Sequence, residues 1–276
     1  MQQVIGTYFW IQVPRRCIYS TKRHEKRRKT MYLTIQAIVP RVTDYNDRDA
    51  LLTVLTRDHG KLTLKARGLR RKNSPLIAPC QLLAFGEFTL FEYRGMYTIN
   101  EAHSIELFQP LRRDLTKLSL GTYFAQVAEV ISQEDLPNPE LQALLLNSLF
   151  ALAKLNLPEA QVKAAFELRA ACLAGYTPDL SGCHVCGSRN PDRFDLSAGQ
   201  LVCSKCPGGA GGIRMPVNPG IYQAMQYICM CDSKKLFAFS LGEENMLSLA
   251  SLSEAYLSTQ LERGFSTLDF YKSLLL

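Results

Sequence analysis

The sequence contains few histidines and none of the short motifs that mark common catalytic sites. Its four histidines lie at positions 24, 59, 103 and 184, and their spacing does not group them. It has no Gly-x-Ser-x-Gly nucleophile motif, no His-Glu-x-x-His metalloprotease motif and no Walker lysine. Because nothing in the sequence calls for catalysis, we predict a protein that is not an enzyme.

The sequence also lacks a segment suited to crossing a membrane or directing secretion. Its first apolar run, Val4–Val13, has ten residues, whereas a membrane-spanning helix needs about 20. Basic residues follow this run, whereas in a secretory signal they precede it. We therefore predict no membrane contact. The nine cysteines are an odd number, and four have metal-type spacing, which favours a reducing compartment over a disulfide framework.

Beyond its first 30 residues, the sequence has no excess of basic charge. The net charge is +7, and residues 1–30 alone carry eight lysines or arginines against one glutamate. The rest of the chain carries 24 basic residues (32 minus 8) and 24 acidic residues (25 minus 1). Only local clusters of basic residues can therefore indicate nucleic-acid binding. Segment 1–30 fits a nucleic-acid arm, an organelle presequence or a disordered extension. We predict the last, because Met31 directly precedes a clear strand pattern.

Two Cys-x-x-Cys motifs stand out in the second half of the chain: Cys183 with Cys186, and Cys203 with Cys206. This spacing is typical of a structural zinc site, in which four thiolates fill a tetrahedral shell and leave no position for substrate. Two disulfides or four unrelated thiols are the alternatives. We predict one structural Zn²⁺ in an element spanning 181–214, whose loop-like residues fold when the ion binds.

Residues 31–109 carry the signals of short β-strands. Apolar and polar residues alternate from Tyr32, a β-branched strand covers Ala50–Thr56, and Gly60 ends a predicted hairpin turn before a third strand. The last two predicted strands, Leu82–Tyr93 and Met96–Ala102, form a hairpin around Arg94 and Gly95. Five short antiparallel strands in this length predict a small closed barrel of the OB type.

The third predicted strand has one basic face that continues into a basic loop. This stretch contains six basic residues and no acidic residue between them. The six are Lys61, Lys65, Arg67, Arg70, Arg71 and Lys72. Lysine and arginine neutralise phosphates without reading bases, so this surface is predicted to bind DNA with little sequence preference. The alternative is a merely solvated face. Tyr45, Tyr93 and Tyr97 are candidates for base stacking, although a place in the core is the simpler expectation for each.

After residue 110 the apolar period changes from two to 3.6, which predicts a helical domain over 110–276. Helices are expected over 111–131, from Pro139 to about Leu155, from Pro158 to Gly175, from Pro219 to about Met230, and over 243–263 and 266–275. On the third, a stripe including Val162 and Phe166 is the predicted core face. The fold class is therefore α+β with several domains: an OB-type barrel, then helices with an inserted four-cysteine zinc element.

The sequence resembles the RecO family of bacterial recombination mediators. The matching stretches are Leu51–Lys61, Lys65–Arg70, Phe166–Arg169 with Leu173–Tyr176, and Cys183–Gly187 with its partner cysteines. The similarity runs from about Met31 to the end and keeps the order barrel, helices, cysteines, helices. The thirty-residue basic extension departs from the usual pattern, and so does the stretch around Pro75.

This resemblance implies a role in DNA repair and homologous recombination in the bacterial cytoplasm, associated with the nucleoid. It implies binding of single- and double-stranded DNA, strand annealing, cooperation with RecR, and help in loading RecA onto DNA coated with single-strand-binding protein. The alternative is a general OB and zinc protein that binds RNA or acts in transcription. A zinc-dependent hydrolase is a second alternative, but four thiolates leave zinc no open position for catalysis.

Overall fold

The computed structural model describes residues 32–206 and 212–276, which form a closed five-stranded barrel, a bundle of α-helices and a small four-stranded sheet. The predicted fold class, a barrel of OB type followed by a helical region, is confirmed. The predicted disordered extension at residues 1–30 lies outside the described residues. None of the helices described is long and apolar enough to span a bilayer.

The barrel closes in the order β1-β2-β3-β5-β4, with β4 returning to β1. All its neighbours are antiparallel except β3 and β5, which run parallel over a short contact. The strands are β1 (Tyr32–Asp44), β2 (Ala50–Thr56), β3 (Lys61–Ala66), β4 (Phe85–Tyr93) and β5 (Met96–Glu106). One set of alternating side chains fills the barrel, including Ile35, Leu52, Leu64, Phe88 and Leu90.

Two predicted strand limits were wrong. Strand β4 begins at Phe85 instead of Leu82, because Leu83 has a left-handed backbone (φ 62°). The backbone N–H of Leu83 donates to the Val39 carbonyl at 2.7 Å, in a turn that leads into the strand. Strand β5 continues to Glu106 and not only to Ala102, since its second half stays paired with the start of β4.

Six α-helices follow in the described chain, and the sequence located every start except that of α1 to within one residue. They are α1 (Leu115–Ile131), α2 (Pro139–Lys154), α3 (Glu159–Leu173), α4 (Pro219–Met230), α5 (Glu243–Gln260) and α6 (Ser266–Ser273). Asn138 and Asn218 cap α2 and α4, and each side chain accepts the backbone N–H three residues ahead. The predicted helix from Leu111 instead begins with a 3-10 turn, Gln109–Arg113, and Asp114 caps α1.

Helix α3 lies at the centre of the bundle. The predicted core face is confirmed, because Val162 and Phe166 are buried, but burial extends around the helix: every residue from Gln161 to Leu168 is buried, polar ones included. Other helices surround α3: α5 and α2 pack closely along it, and α1 and α4 also contact it. A helix enclosed in this way must satisfy its buried polar groups within the protein.

A buried carboxylate, Glu167 of α3, has no exposed side-chain surface. It accepts hydrogen bonds from the Tyr123 hydroxyl at 2.8 Å, from Ser253 at 2.7 Å and from Lys163 at 3.1 Å. Lys163 also donates to Glu254 at 2.8 Å. Burial opposes the charge on Lys163, but the two carboxylates outweigh it and raise the pKa of its ammonium group.

We expect Lys163→Met to destabilise the protein by about 3–5 kcal/mol, because it leaves the Glu167 carboxylate buried without its cation. The matched control is Lys272→Met. That lysine pairs with the same Glu254 but has a half-exposed side chain, so its loss should cost at most about 1 kcal/mol. Urea unfolding of both variants measures the difference. Equal losses would show that the buried pair contributes no more than a surface one.

The barrel has its own interior core, but its outer face also contributes to the core of the helices. Ile38, Leu55 and Phe85 point outward from the barrel and pack among residues of α1 and α2. At the β2–β3 turn, Gly60 has φ 66° and pairs with Glu134 in the α1–α2 loop. A Cβ there would lie 2.4 Å from the Leu136 carbonyl oxygen, so only glycine fits. The predicted boundary after residue 109 falls at the start of the 3-10 turn that follows β5, and the two domains stay a prediction.

The cysteine stretch is more ordered than the predicted loops. It contains a four-stranded sheet in the order β6-β8-β7-β9. Its strands are β6 (Asp179–Cys183), β7 (Arg193–Asp195), β8 (Gln200–Val202) and β9 (Arg214–Pro216). Leu180, Phe194 and Leu201 from these strands belong to the main core. The sheet therefore packs on the helices and is not an isolated loop.

Candidate metal centre and basic face

The four cysteines come together at one edge of the small sheet. Cys183 ends β6 and Cys203 follows β8, and each begins a tight turn that brings its partner back. In the first turn the N–H of Gly187 donates to the Cys183 carbonyl at 2.8 Å, with Gly187 at φ 70°. In the second, the N–H of Cys206 donates to the Cys203 carbonyl at 3.0 Å.

The sulfur geometry fits a tetrahedral ion. All four Sγ atoms lie within 4.8 Å of one another, and two edges, Cys183–Cys206 and Cys186–Cys203, measure 3.8 Å. Four sulfurs at the usual bond length of about 2.3 Å from zinc have edges of about 3.8 Å. All four cysteines are free thiols. The predicted cluster is therefore confirmed as a group able to hold a metal ion, and the alternatives of two disulfides and of four separate thiols were wrong.

Backbone amides favour the thiolate form of one cysteine in this cluster, Cys183. N–H groups of Cys186, Val185 and Cys203 point at the Cys183 sulfur and lower its pKa to about 6. Thiolates are the form that binds metal. His184, between the first two cysteines, is exposed and is not in the four-sulfur group. Its backbone N–H instead donates to the Leu201 carbonyl at 2.8 Å, which joins the turn to β8.

The small sheet that carries the four cysteines is bound to two helices, α4 and α5. The Tyr222 hydroxyl and the Gln226 side-chain amide of α4 both donate to the Leu180 carbonyl at 2.9 Å. From α5, the Gln260 side-chain amide donates to the Leu196 carbonyl at 2.7 Å. The rings of Phe194 and Tyr256 meet edge to face at 5.2 Å. Loss of the ion would therefore disturb α4 and α5 as well as the turns.

We expect Cys186→Ser to remove nearly all bound metal and to lower the melting temperature of the helical region, because three sulfurs hold the ion much less tightly. Cys172→Ser is the matched control, since this thiol lies on α3 outside the cluster. Elemental analysis of the purified full chain, with a thermal unfolding curve, measures both effects. Wild-type melting in metal-free Cys186→Ser would contradict a structural role for the ion.

The basic face lies on β3 and on the loop that follows it. Leu62, Leu64 and Ala66 point into the barrel, as predicted, while Lys61, Thr63 and Lys65 point outward. The outward cations differ in their surroundings. Lys61 lies at the junction with the helices, where its Nζ donates to the Glu129 carbonyl of α1 at 3.3 Å.

Two of the predicted cations have acidic partners, one in the β1–β2 loop and one at the end of β1. Lys65 lies 3.7 Å from Asp49 and over the Tyr45 ring, 4.5 Å from its centroid. Arg70 pairs with Asp44. Asp49 also accepts the N–H of Gly68 at 2.8 Å, and this bond, with the nearby Asn46 and Lys65, lowers the pKa of the Asp49 carboxyl. These acids lie far from the basic loop in the sequence, so local composition did not reveal them.

The remaining three predicted cations, Arg67, Arg71 and Lys72, are exposed. Their side chains have no ion pair or hydrogen bond among the residues 32–206 and 212–276. Arg48, which sequence reasoning missed, is also exposed, and its carbonyl accepts the N–H of Arg70 at 3.1 Å, which places its backbone beside the loop. We define the basic loop face as Arg48, Lys65, Arg67, Arg70, Arg71 and Lys72. Phosphate contact by the six predicted residues stays a prediction.

Two of the three tyrosines are not core residues, contrary to the simpler expectation. Tyr45 is 55% and Tyr93 is 47% exposed. Tyr45 lies under Lys65, and the Arg94 guanidinium lies 5.2 Å from the centre of the Tyr93 ring. Tyr97 is half-buried and packs against the barrel core. Strand alternation could not predict the exposure of Tyr45, because this residue lies in a loop.

Comparison with known proteins finds matches across almost all of the chain. Residues 31–108 match the family described as Recombination protein O N terminal, and residues 112–269 match Recombination protein O C terminal. A protein called DNA repair protein RecO from Acetivibrio thermocellus is 33% identical over 245 residues, 88% of this chain and 97% of the relative. The protein of that name from Bacillus subtilis is 27% identical over 227 residues, covering 82% and 88%.

Proposed function

The chain belongs to the RecO family of DNA repair proteins, and from this premise we propose that it is a recombination mediator that binds and anneals DNA strands. It acts with RecR and helps RecA to load onto single strands that are coated with single-strand-binding protein. It has no catalytic role and works in the bacterial cytoplasm at the nucleoid. The observation that carries this proposal is the basic loop face, in which Arg67, Arg71 and Lys72 are exposed and have no acidic partner within the described chain.

The basic loop face suits a ligand with regularly spaced negative charge. Arg67, Arg71 and Lys72 extend into solvent from one loop, and each can neutralise a phosphate and release its condensed counterion. Such contacts carry no base code, so single and double strands of any sequence can bind. A mediator that pairs complementary strands needs this property, because it must hold strands without selecting their sequence.

The β1–β2 loop holds the basic loop in place. Asp49 accepts the N–H of Gly68 and approaches Lys65, and the N–H of Arg70 donates to the Arg48 carbonyl. Preorganised cations lose less freedom on binding than cations on a free loop. We propose that Lys65 and Arg70 support the loop through their acids and that the exposed cations make most phosphate contacts. Lys61 would then contribute mainly at the junction with α1.

One structural Zn²⁺ is the ion that we propose for the four-cysteine cluster. Four thiolates with tetrahedral edges suit zinc, and a closed shell of this kind supports a fold without chemistry. Bound there, the ion would hold the two turns together and brace the sheet that α4 and α5 contact. This leaves the surfaces of the helical region free for protein partners.

We expect the variant Arg67→Ala/Arg71→Ala/Lys72→Ala to bind single- and double-stranded DNA less tightly for all sequences and to anneal strands more slowly. Its log–log salt slope for single strands should flatten by about 2 units if all three cations contact phosphate. The variant should stay folded, because none of the three packs in the core. Fluorescence anisotropy at several salt concentrations measures binding.

A matched control removes three exposed lysines from the helical region: Lys154→Ala/Lys234→Ala/Lys235→Ala. Its net charge changes equally, so it separates local contact from overall electrostatics. Similar losses in both variants would move the DNA site away from the basic loop face. Tighter wild-type binding to structured RNA than to single-stranded DNA would favour a general RNA-binding role. Annealing on DNA coated with single-strand-binding protein tests the mediator role itself.

A further inference from the structure

A continuous row of outward-facing residues crosses the barrel at the level of Lys65. The strand register places Lys65 of β3 beside Thr98 of β5, Thr98 beside Phe91 of β4, and Phe91 beside Tyr32 of β1. We call these four residues the lateral row. Three strand spacings separate its ends, which is about 14 Å. The row thus leads from the basic loop face around the barrel to a pair of aromatic side chains.

The aromatic pair at the end of the row lies on the surface. Tyr32 is 60% exposed and Phe91 is half-buried, and their rings are 5.9 Å apart with a tilt of 52°. The neighbours of Tyr32 and Phe91 along their strands, such as Leu33 and Leu90, supply the barrel core. The pair therefore adds little to the interior, although a cross-strand aromatic pair does stabilise a sheet modestly.

Away from the aromatic pair, the outer face of β1 and β4 carries polar and acidic residues and is then covered by the helices. The next set of cross-strand partners on β1, β4 and β5 is Thr34, Thr89 and Glu101. The set after it is Gln36, Glu87 and His103. Beyond these, Ile38 and Phe85 are covered by the helices. Glu101 and Glu87 repel phosphates, whereas Arg94 with Tyr93 lies at the β4–β5 turn on the other side of the pair. A polyanion that follows the lateral row is therefore expected to lie on the side nearer the β4–β5 turn, away from these two glutamates.

We propose that Tyr32 and Phe91 form a platform on which unpaired bases stack, as a strand held by the basic loop face passes along the lateral row. This inference rests on the proposed function and extends it to the course of the strand. The occupant is a single-stranded nucleic acid, because cations flank the pair at the basic loop face and at Arg94 while acids border its remaining side. Base stacking on aromatic rings needs no particular sequence.

Duplex DNA would use this platform poorly, because its bases are stacked inside the helix. The basic loop face would therefore bind single and double strands alike, while the aromatic pair would favour single strands. A mediator benefits from that difference, since it retains separated strands and releases the duplex that annealing produces. The two surfaces thus make separable contributions to binding.

The test compares two labelled oligonucleotides of equal length, one with normal bases and one with abasic sites throughout. Both carry the same phosphates, so only stacking distinguishes them. The full-length wild type should prefer the base-bearing strand. Tyr32→Leu/Phe91→Leu should weaken binding to that strand roughly tenfold and leave abasic-strand binding, duplex binding and the salt slope unchanged. Tyr176→Leu, at an exposed tyrosine of the helical region, is the matched control.

The single variant Tyr32→Leu keeps the test valid if the double variant fails to fold, because Tyr32 is the more exposed ring. A folded Tyr32→Leu protein with the wild-type preference for base-bearing strands would overturn the platform and leave the basic loop face intact. Wild-type protein that binds neither oligonucleotide would overturn the proposed DNA-binding function and the platform together. If the variants lost as much affinity for the abasic strand as for the base-bearing strand, base stacking would be overturned as the cause.

Discussion

The buried Glu167 carboxylate constrains how the helical region is assembled. Its partners come from three helices, Tyr123 of α1, Lys163 of α3 itself and Ser253 of α5, and Lys163 connects it through Glu254 to Lys272 of α6. A buried charge that loses a partner is costly, so the helices that supply partners must keep their relative register. Apolar packing alone tolerates sliding between helices better than hydrogen bonds do.

The position of the barrel on this bundle determines which of its faces is free. The Gln142 side-chain amide of α2 donates to the Leu55 carbonyl at 2.9 Å, and Arg41 of β1 pairs with Glu129 of α1 at 2.8 Å. These contacts, with Gly60 against the α1–α2 loop, cover the junction side of β1, β2 and β4. The basic loop face and the β4–β5 turn remain open. Which faces of the barrel are open to solvent is therefore a consequence of how the two regions pack.

Sequence patterns predicted the features that depend on neighbouring residues. Alternation located the strands, asparagine–proline pairs located two helix starts, and the Cys-x-x-Cys spacing located the metal cluster, since each of these arises within a few residues. The patterns did not show that α3 is enclosed, because enclosure depends on every surrounding helix. They missed the three-residue strands β7–β9, which are too short to have a period. They also missed the pairing of Arg70 with Asp44, which depends on how the end of β1 packs against the loop after β3.

Those loop contacts separate the six predicted cations into two kinds. A phosphate that binds Lys65 or Arg70 competes with Asp49 or Asp44, so part of the electrostatic gain is offset by the ion pair that is lost. Arg67, Arg71 and Lys72 are unpaired within the described chain, so a phosphate bound by them would face no such competition. The acids therefore reduce the affinity of the loop while they fix its shape. Such moderate affinity would suit the proposed mediator role, in which strands are held and the annealed duplex is then released.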